Sequence, residues 1–103
     1  ELTFRSEERS TDILDGNEVL GTITWDPIEN GRTSIDVYVA PAHRGKGLGT
    51  ALLKKALQRL ETEGVKEIEL GVDANNLPAL KLYRKFGFTV FKTHFYIVVS
   101  VQS

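Results

Sequence analysis

Pro41-Ala42-His43-Arg44-Gly45-Lys46-Gly47-Leu48-Gly49-Thr50 decides how this chain is read. Its three alternating glycines separate two different residue patterns. Upstream, Thr33 to Ala40 is rich in β-branched residues and alternates, with Ile35, Val37 and Val39 on one face, and Pro41 ends the run. Downstream, Leu48, Ala51, Leu52, Ala56 and Leu60 recur at helical spacing, with Lys54, Lys55, Gln58, Arg59 and Glu61 between them. The stretch therefore joins a strand to a helix. Glycine lets a backbone approach a ligand closely and turn its N–H groups toward it. A helix start adds four unpaired N–H groups and the positive end of the dipole. Together these suit an anion such as a pyrophosphate, with the charges of Arg44 and Lys46 at the rim. The spacing is neither the dinucleotide fingerprint G-x-G-x-x-G nor the phosphate loop G-x-x-x-x-G-K-[ST]. The plain alternative is a flexible turn ahead of a helix, but a helix start does not call for three glycines.

Outward from this connection the rest of the chain falls into place. Ser10 to Trp25 reads as a hairpin, turning at Asp15-Gly16-Asn17, where Asp-Gly tolerates positive φ. A second turn at Asp26-Pro27-Ile28-Glu29-Asn30-Gly31 leads into the strand Thr33 to Ala40. On the other side, Gly64 stops the helix and Val65 to Val72 reads as a strand with Ile68, Leu70 and Val72 facing one way. Asn76 is placed to cap a second helix, with Pro78 in its first turn, Ala79, Leu80, Leu82, Tyr83 and Phe86 following, and Gly87 at its end. Phe88 to Val101 reads as two strands with a break near Lys92-Thr93-His94. The expected order is βββαβαββ, one α+β domain over residues 1–103, with a right-handed parallel crossover through the first helix.

Composition narrows the function. A chain of 103 residues has room for one modest core, so a large ligand must lie in a surface groove. Thirteen Lys and Arg against fourteen Asp and Glu leave a net charge of −1, which argues against nucleic acid as a partner. There are no cysteines, so thiolate metal sites and a cysteine nucleophile are excluded, and two isolated histidines do not make a zinc site. No metal is expected. No apolar run approaches the length of a membrane span or a signal peptide, and a cytoplasmic location is expected.

Two blocks carry a family resemblance. Val37 to Leu53, with Arg44-Gly45-Lys46-Gly47-Leu48-Gly49 matching R-x-x-G-x-G/A, resembles the acetyl-CoA motif of GNAT-type N-acetyltransferases. Asn76 to Phe88 resembles the family's N-x-x-A-x-x-L-Y-x-x-x-G-F signature. The resemblance covers Glu18 to Phe88 and implies a GNAT-like α+β sandwich around a mixed, mostly antiparallel sheet with a central parallel pair. It implies transfer of an acetyl group from acetyl-CoA, as co-substrate, to a primary amine of a small molecule or a protein, by direct attack in a ternary complex. Arg44, Gly45, Lys46, Gly47, Leu48, Gly49 and Thr50 would hold the pyrophosphate, and Val37, Tyr38 and Val39 would pair with the pantetheine arm along an edge made where two parallel strands splay. An N–H near Val39 would polarise the thioester carbonyl. Tyr83 would give a proton to the departing thiolate, the alternative being that it packs one helix face against the sheet. Asn76 would cap its helix and also lie beside the CoA arm.

Three expectations concern what the chain lacks. The family's glutamate five residues before the motif asparagine falls on Gly71, leaving Asp36, Glu69 and Asp73 as candidate carboxylates. His43 and His94 read as surface or packing histidines, and Lys81, Arg84 and Lys85 as a solvated helix face. Only seventeen residues precede Glu18, too few for the strand and two helices the family carries there. That predicts an open acceptor side, or a homodimer covering an exposed apolar sheet face. A non-catalytic module that binds or senses acyl-CoA is the alternative function, favoured by the missing glutamate and opposed by Tyr83.

Overall fold

The computed structural model describes residues 1–71, 75–87, 89–90 and 96–100, with side chains up to Gly87. Seven strands form one sheet in the order β1-β2-β3-β4-β5-β7-β6. They are β1 (Leu2–Glu7), β2 (Ser10–Asp15), β3 (Glu18–Trp25), β4 (Arg32–Val39), β5 (Glu67–Gly71), β6 (Thr89–Val90) and β7 (Tyr96–Ser100). Helix α1 (Leu48–Thr62) joins β4 to β5, and α2 (Leu77–Lys85) follows β5. Only the β4–β5 pair is parallel; every other pairing is antiparallel. The mixed α+β architecture therefore matches the expectation from sequence.

One strand was not expected. Leu2–Glu7 pairs with β2 in register along its whole length, so the chain opens with four strands before α1. All six of its residues are exposed, which removes the buried face that makes a strand legible. Its anchors are lateral: Arg5 donates to Asp12 from Nε and Nη2 at 3.1 and 2.7 Å, and the Lys55 ammonium lies 5.4 Å from the Phe4 ring centroid. Near the β1–β2 turn, Arg59 of α1 donates to the carbonyls of Ser10 and Glu8 at 3.1 and 2.6 Å and lies over the Trp25 ring. One guanidinium thus ties the first hairpin to the helix.

The turns follow their chemistry. Gly16, Gly31 and Gly64 take positive φ, and Asn30 is the one non-glycine that does so among the described residues. Proline at the start of the single 3-10 turn Pro41–His43 ends β4 where expected. The core lies between α1 and one face of the sheet. Leu52, Leu53, Ala56 and Leu60 of α1 meet Ile13, Ile23, Trp25, Ile35, Ile68 and Leu70, all buried. Each large side chain in this set contributes about 1.5–3 kcal/mol by leaving water. The opposite face over β3 to β5 presents Thr22, Thr24, Ser34, Asp36, Tyr38, Glu67 and Glu69, because alternate residues point away from α1. That face is mostly polar over these strands. Val72, Asp73, His94 and the break at residues 92–94 lie outside the described residues.

Candidate active site

Among the described residues β4 pairs with β5 from Arg32↔Glu67 to Ile35↔Leu70, and β4 continues to Val39. Strand parity decides which backbone groups turn to β3 and which turn away. The Ala40 amide donates to Leu20 of β3, and the Ser34 carbonyl accepts from Asp26, so even-numbered residues of β4 turn their backbone groups toward β3. Val37 and Val39 therefore point theirs the other way. The Val39 carbonyl is taken by Arg44 Nε at 3.0 Å, and the Val39 N–H and both backbone groups of Val37 have no partner among the described residues. Tyr38 offers no backbone hydrogen-bonding group there, and its half-exposed side chain points to the polar face of the sheet.

The glycine connection closes one end of this edge. Gly45 and Gly47 have φ of +82° and +79°, and a Cβ at either would meet nothing within 4 Å, so conformation alone demands glycine at both. Gly47 caps α1 with no side-chain hydrogen bond. The consequence is a run of free donors. The Arg44 amide reaches Pro41 at 3.4 Å and the Ala51 amide reaches Gly47 at 3.1 Å, but among the described residues no acceptor takes the amides of Gly45, Lys46, Gly47, Leu48, Gly49 or Thr50. Gly49 serves a different purpose: a Cβ on it would lie 3.4 Å from Leu82 Cδ2, so its small size lets α1 and α2 approach.

Helix α2 supplies the facing wall. Asn76 Oδ1 accepts from the Ala79 amide at 3.2 Å, the cap expected from its position, and Pro78 sits in the first turn. The helical repeat then turns Ala79, Leu82 and Tyr83 toward β4 and α1. The result is a groove of about 700 Å³ between β4, the glycine connection and α2. Its walls include Val37, Tyr38, Val39, Arg44, Gly45, Gly47, Leu48, Gly49, Thr50, Asn76 and Tyr83. Of the residues singled out in the sequence, Lys46 is the one outside these walls. Its ammonium is turned to His43 Nδ1 at 3.3 Å, while His43 Nε2 meets Glu18 Oε2 at 3.1 Å. His43 itself lines the groove, which its sequence context did not reveal.

Tyr83 is 7% exposed. Burial, followed by the negative charge of Asp36, pushes its phenol above the ordinary tyrosine range. It therefore keeps its proton throughout the neutral range. The other carboxylates stand apart: Glu69 is exposed on the polar face opposite Ser34, and Gly71 ends β5 with no side chain to offer. Lys81, Arg84 and Lys85 are exposed along α2, as a solvated face requires. Among the described residues no group of three metal-ligating side chains occurs, and no helix is long and apolar enough to cross a membrane.

A mixed α+β sheet, with one groove wall made by a glycine-rich helix start whose amides have no acceptor among the described residues, defines the class of fold and site. Residues 2–88 match the acetyltransferase (GNAT) family, and the chain belongs to that family. It is 34% identical over 92 residues to the mycothiol acetyltransferase of Corynebacterium glutamicum strain R, covering 84% of this chain and 31% of that protein. It is also 33% identical over 78 residues to the L-methionine sulfoximine/L-methionine sulfone acetyltransferase of Pseudomonas aeruginosa, covering 71% of this chain and 45% of the other. The match thus covers 31% to 45% of the length of these relatives. Among solved structures, a GCN5-related N-acetyltransferase from Kribbella flavida superposes with a TM-score of 0.81 at 26% identity, covering 90% of this chain and 67% of that one. A Salmonella typhimurium protein of the same fold, solved with acetyl-CoA as its cofactor, gives 0.80 at 21% identity, covering 91% and 65%.

Proposed function

We propose that this chain transfers the acetyl group of acetyl-CoA to a primary amine of a small molecule. The observation that carries this reading is the row of six amides from Gly45 to Thr50 that have no acceptor among the described residues and lie at the end of β4. Such a row binds a pyrophosphate through charge-assisted hydrogen bonds, each worth about 1.5–3 kcal/mol. The edge groups of Val37 and the Val39 N–H match the two amides of a pantetheine arm, which adds to β4 as a further strand. The relatives named for small acceptors, mycothiol acetyltransferase and methionine sulfoximine acetyltransferase, favour a small molecule over a protein.

The thioester supplies the activated acyl group, and the chain's residues do the rest. The Val39 N–H is directed at the carbonyl oxygen, where negative charge develops as the amine attacks. A bond forms from the amine nitrogen to the acyl carbon and the C–S bond breaks. Tyr83 gives its proton to the departing sulfur and recovers one from the nitrogen through water, so the products are an amide and a free thiol. A thiolate is a good leaving group, so a weak acid suffices. With Gly71 in place of a strand carboxylate, the ammonium form of the acceptor loses its first proton to solvent. The absent carboxylate is also what favours a module that binds acyl-CoA without turnover. Thiol release from acetyl-CoA with a panel of small amines separates the two: release that falls in Tyr83→Phe supports transfer, and stabilisation by acetyl-CoA without release from any amine refutes it.

A further inference from the structure

β1 is the outermost strand of the sheet, and its outer side has no partner among the described residues. Strand parity fixes which groups it presents there. The Trp25 amide donates to the Arg9 carbonyl, so odd-numbered residues of β3 turn to β2, and Thr11, opposite Ile23, turns back to β3. Ser10 and Asp12 therefore meet Glu7 and Arg5, which leaves the N–H and C=O of Leu2, Phe4 and Ser6 directed outward. Soluble proteins guard such an edge with lysine, proline, a bulge or a covering element. β1 carries neither lysine nor proline, its ladder with β2 is unbroken, and α1 lies over β2, β3 and β4. Its one cation, Arg5, is bound to Asp12. Leu2 and Phe4 are exposed on the α1 side, because Phe4 lies opposite the buried Ile13. Lys55 of α1 sits over the Phe4 ring.

We propose that β1 pairs antiparallel with β1 of a second copy of this chain, with Thr3 on the two-fold axis, so that two sheets join into one. Main-chain hydrogen bonding requires outward residues to face each other, which restricts Leu2, Phe4 and Ser6 to pairing among themselves. Charge selects among the registers that remain. With Phe4 on the axis, Glu1 faces Glu7 of the second copy; with Arg5 on the axis, two guanidinium groups meet. With Ser6 on the axis, Arg5 faces Glu7, but Phe4 falls opposite Glu8. With Thr3 on the axis, each Leu2 faces a Phe4 and each Glu1 faces an Arg5. Arg5 can serve that second carboxylate, because Nε and Nη2 are held by one oxygen of Asp12 and Nη1 remains. The edge is thus complementary to itself in main-chain groups, apolar side chains and charge, which commits it to a second copy. The groove lies on the far side of β3, so pairing leaves it open.

Sedimentation equilibrium of the native chain from about 1 μM to about 1 mM covers the weak end of specific association, where so small an interface belongs. The average mass should rise from one chain toward two. Phe4→Pro removes an N–H that points outward, so the β1–β2 ladder stays whole while dimerisation weakens about tenfold or more. Circular dichroism checks that this variant is folded, and a second measurement does not depend on it. The chain has no cysteine of its own, so disulfide trapping reads the register directly. Thr3→Cys places two thiols in a non-hydrogen-bonded pair on the axis, with Cα atoms about 4.5 Å apart, and should give a reducible dimer on oxidation. Ser6→Cys leaves its two thiols about 20 Å apart and should give none. A mass of one chain at every concentration, a folded Phe4→Pro that dimerises as tightly as the native chain, or trapping at Ser6 in place of Thr3 overturns the proposal.

Discussion

Replacing Gly47 by alanine perturbs the loop by conformation alone. Its φ is +79° and an added Cβ meets nothing within 4 Å, so no clash contributes. Holding an L-residue in the left-handed region costs about 1–2 kcal/mol. In a domain of this size that lowers the melting temperature by about 4–15 °C. Gly64 provides a matched control: its φ is +85°, its Cβ would also meet nothing within 4 Å, and it ends α1 far along the helix from the groove. Gly64→Ala should therefore show a similar loss of stability. The two variants part company in binding. A shift of Gly47 toward ordinary backbone angles turns its own amide and those of Lys46 and Leu48 out of the common direction. Losing two such charge-assisted bonds forfeits about 3–6 kcal/mol, a weakening of more than a hundredfold. Isothermal calorimetry with acetyl-CoA at a temperature where both variants are folded reads the difference directly. Equal affinity in Gly47→Ala and Gly64→Ala would refute the idea that the glycine connection grips the donor.

Tyr83→Phe should leave acetyl-CoA affinity near the native value and lower kcat about tenfold or more, as removal of a positioned acid does; stopped thiol-release assays and calorimetry check the pair. Because folding holds the Tyr83 phenol above its usual range, the folded state favours the protonated ring, and stability should fall as pH rises through the ordinary tyrosine value near about 10. Chemical denaturation across alkaline pH should show that component missing in Tyr83→Phe. Asp12 runs the opposite way: burial works against it, but hydrogen bonds from Thr22 and Arg5 and the Arg5 charge hold its carboxyl below the usual range. Its contribution is present above the ordinary carboxylate value and is lost as pH falls toward the folded one, so Arg5→Ala should flatten the acid limb of the stability profile. Gly21→Ala places a Cβ 2.8 Å from the Tyr38 carbonyl and 3.1 Å from Leu52 Cδ1. Thermal melts should show a loss of about 1–3 kcal/mol, with weaker acetyl-CoA binding because the displaced strand is the groove wall.

What could be seen in the sequence was what short range determines. The glycine spacing, the Asn76 cap, the Pro78 start and the helical repeat bringing Leu82 and Tyr83 to one side are local, and each reappears in the groove. β1 escaped notice because its strand character rests on pairing with β2 and on the Arg5–Asp12 bridge, with no buried face to mark it. His43 reaches the groove rim through a contact with Glu18, 25 residues earlier in the chain, so nothing near it in sequence announces the role. Lys46 reads as a phosphate ligand by position, yet its ammonium is turned to the His43 ring. Tyr38 looks equivalent to Val37 and Val39 until strand parity sends its backbone to β3.

The central claim is that the amides of Gly45 to Thr50 hold the donor's pyrophosphate. Titrating acetyl-CoA into the isotopically labelled chain and following each backbone amide by NMR tests it residue by residue. The account predicts that these six resonances move downfield together, as new hydrogen bonds form, with Val37 and Val39 following. Saturable binding that shifts other amides and leaves those six in place would contradict it.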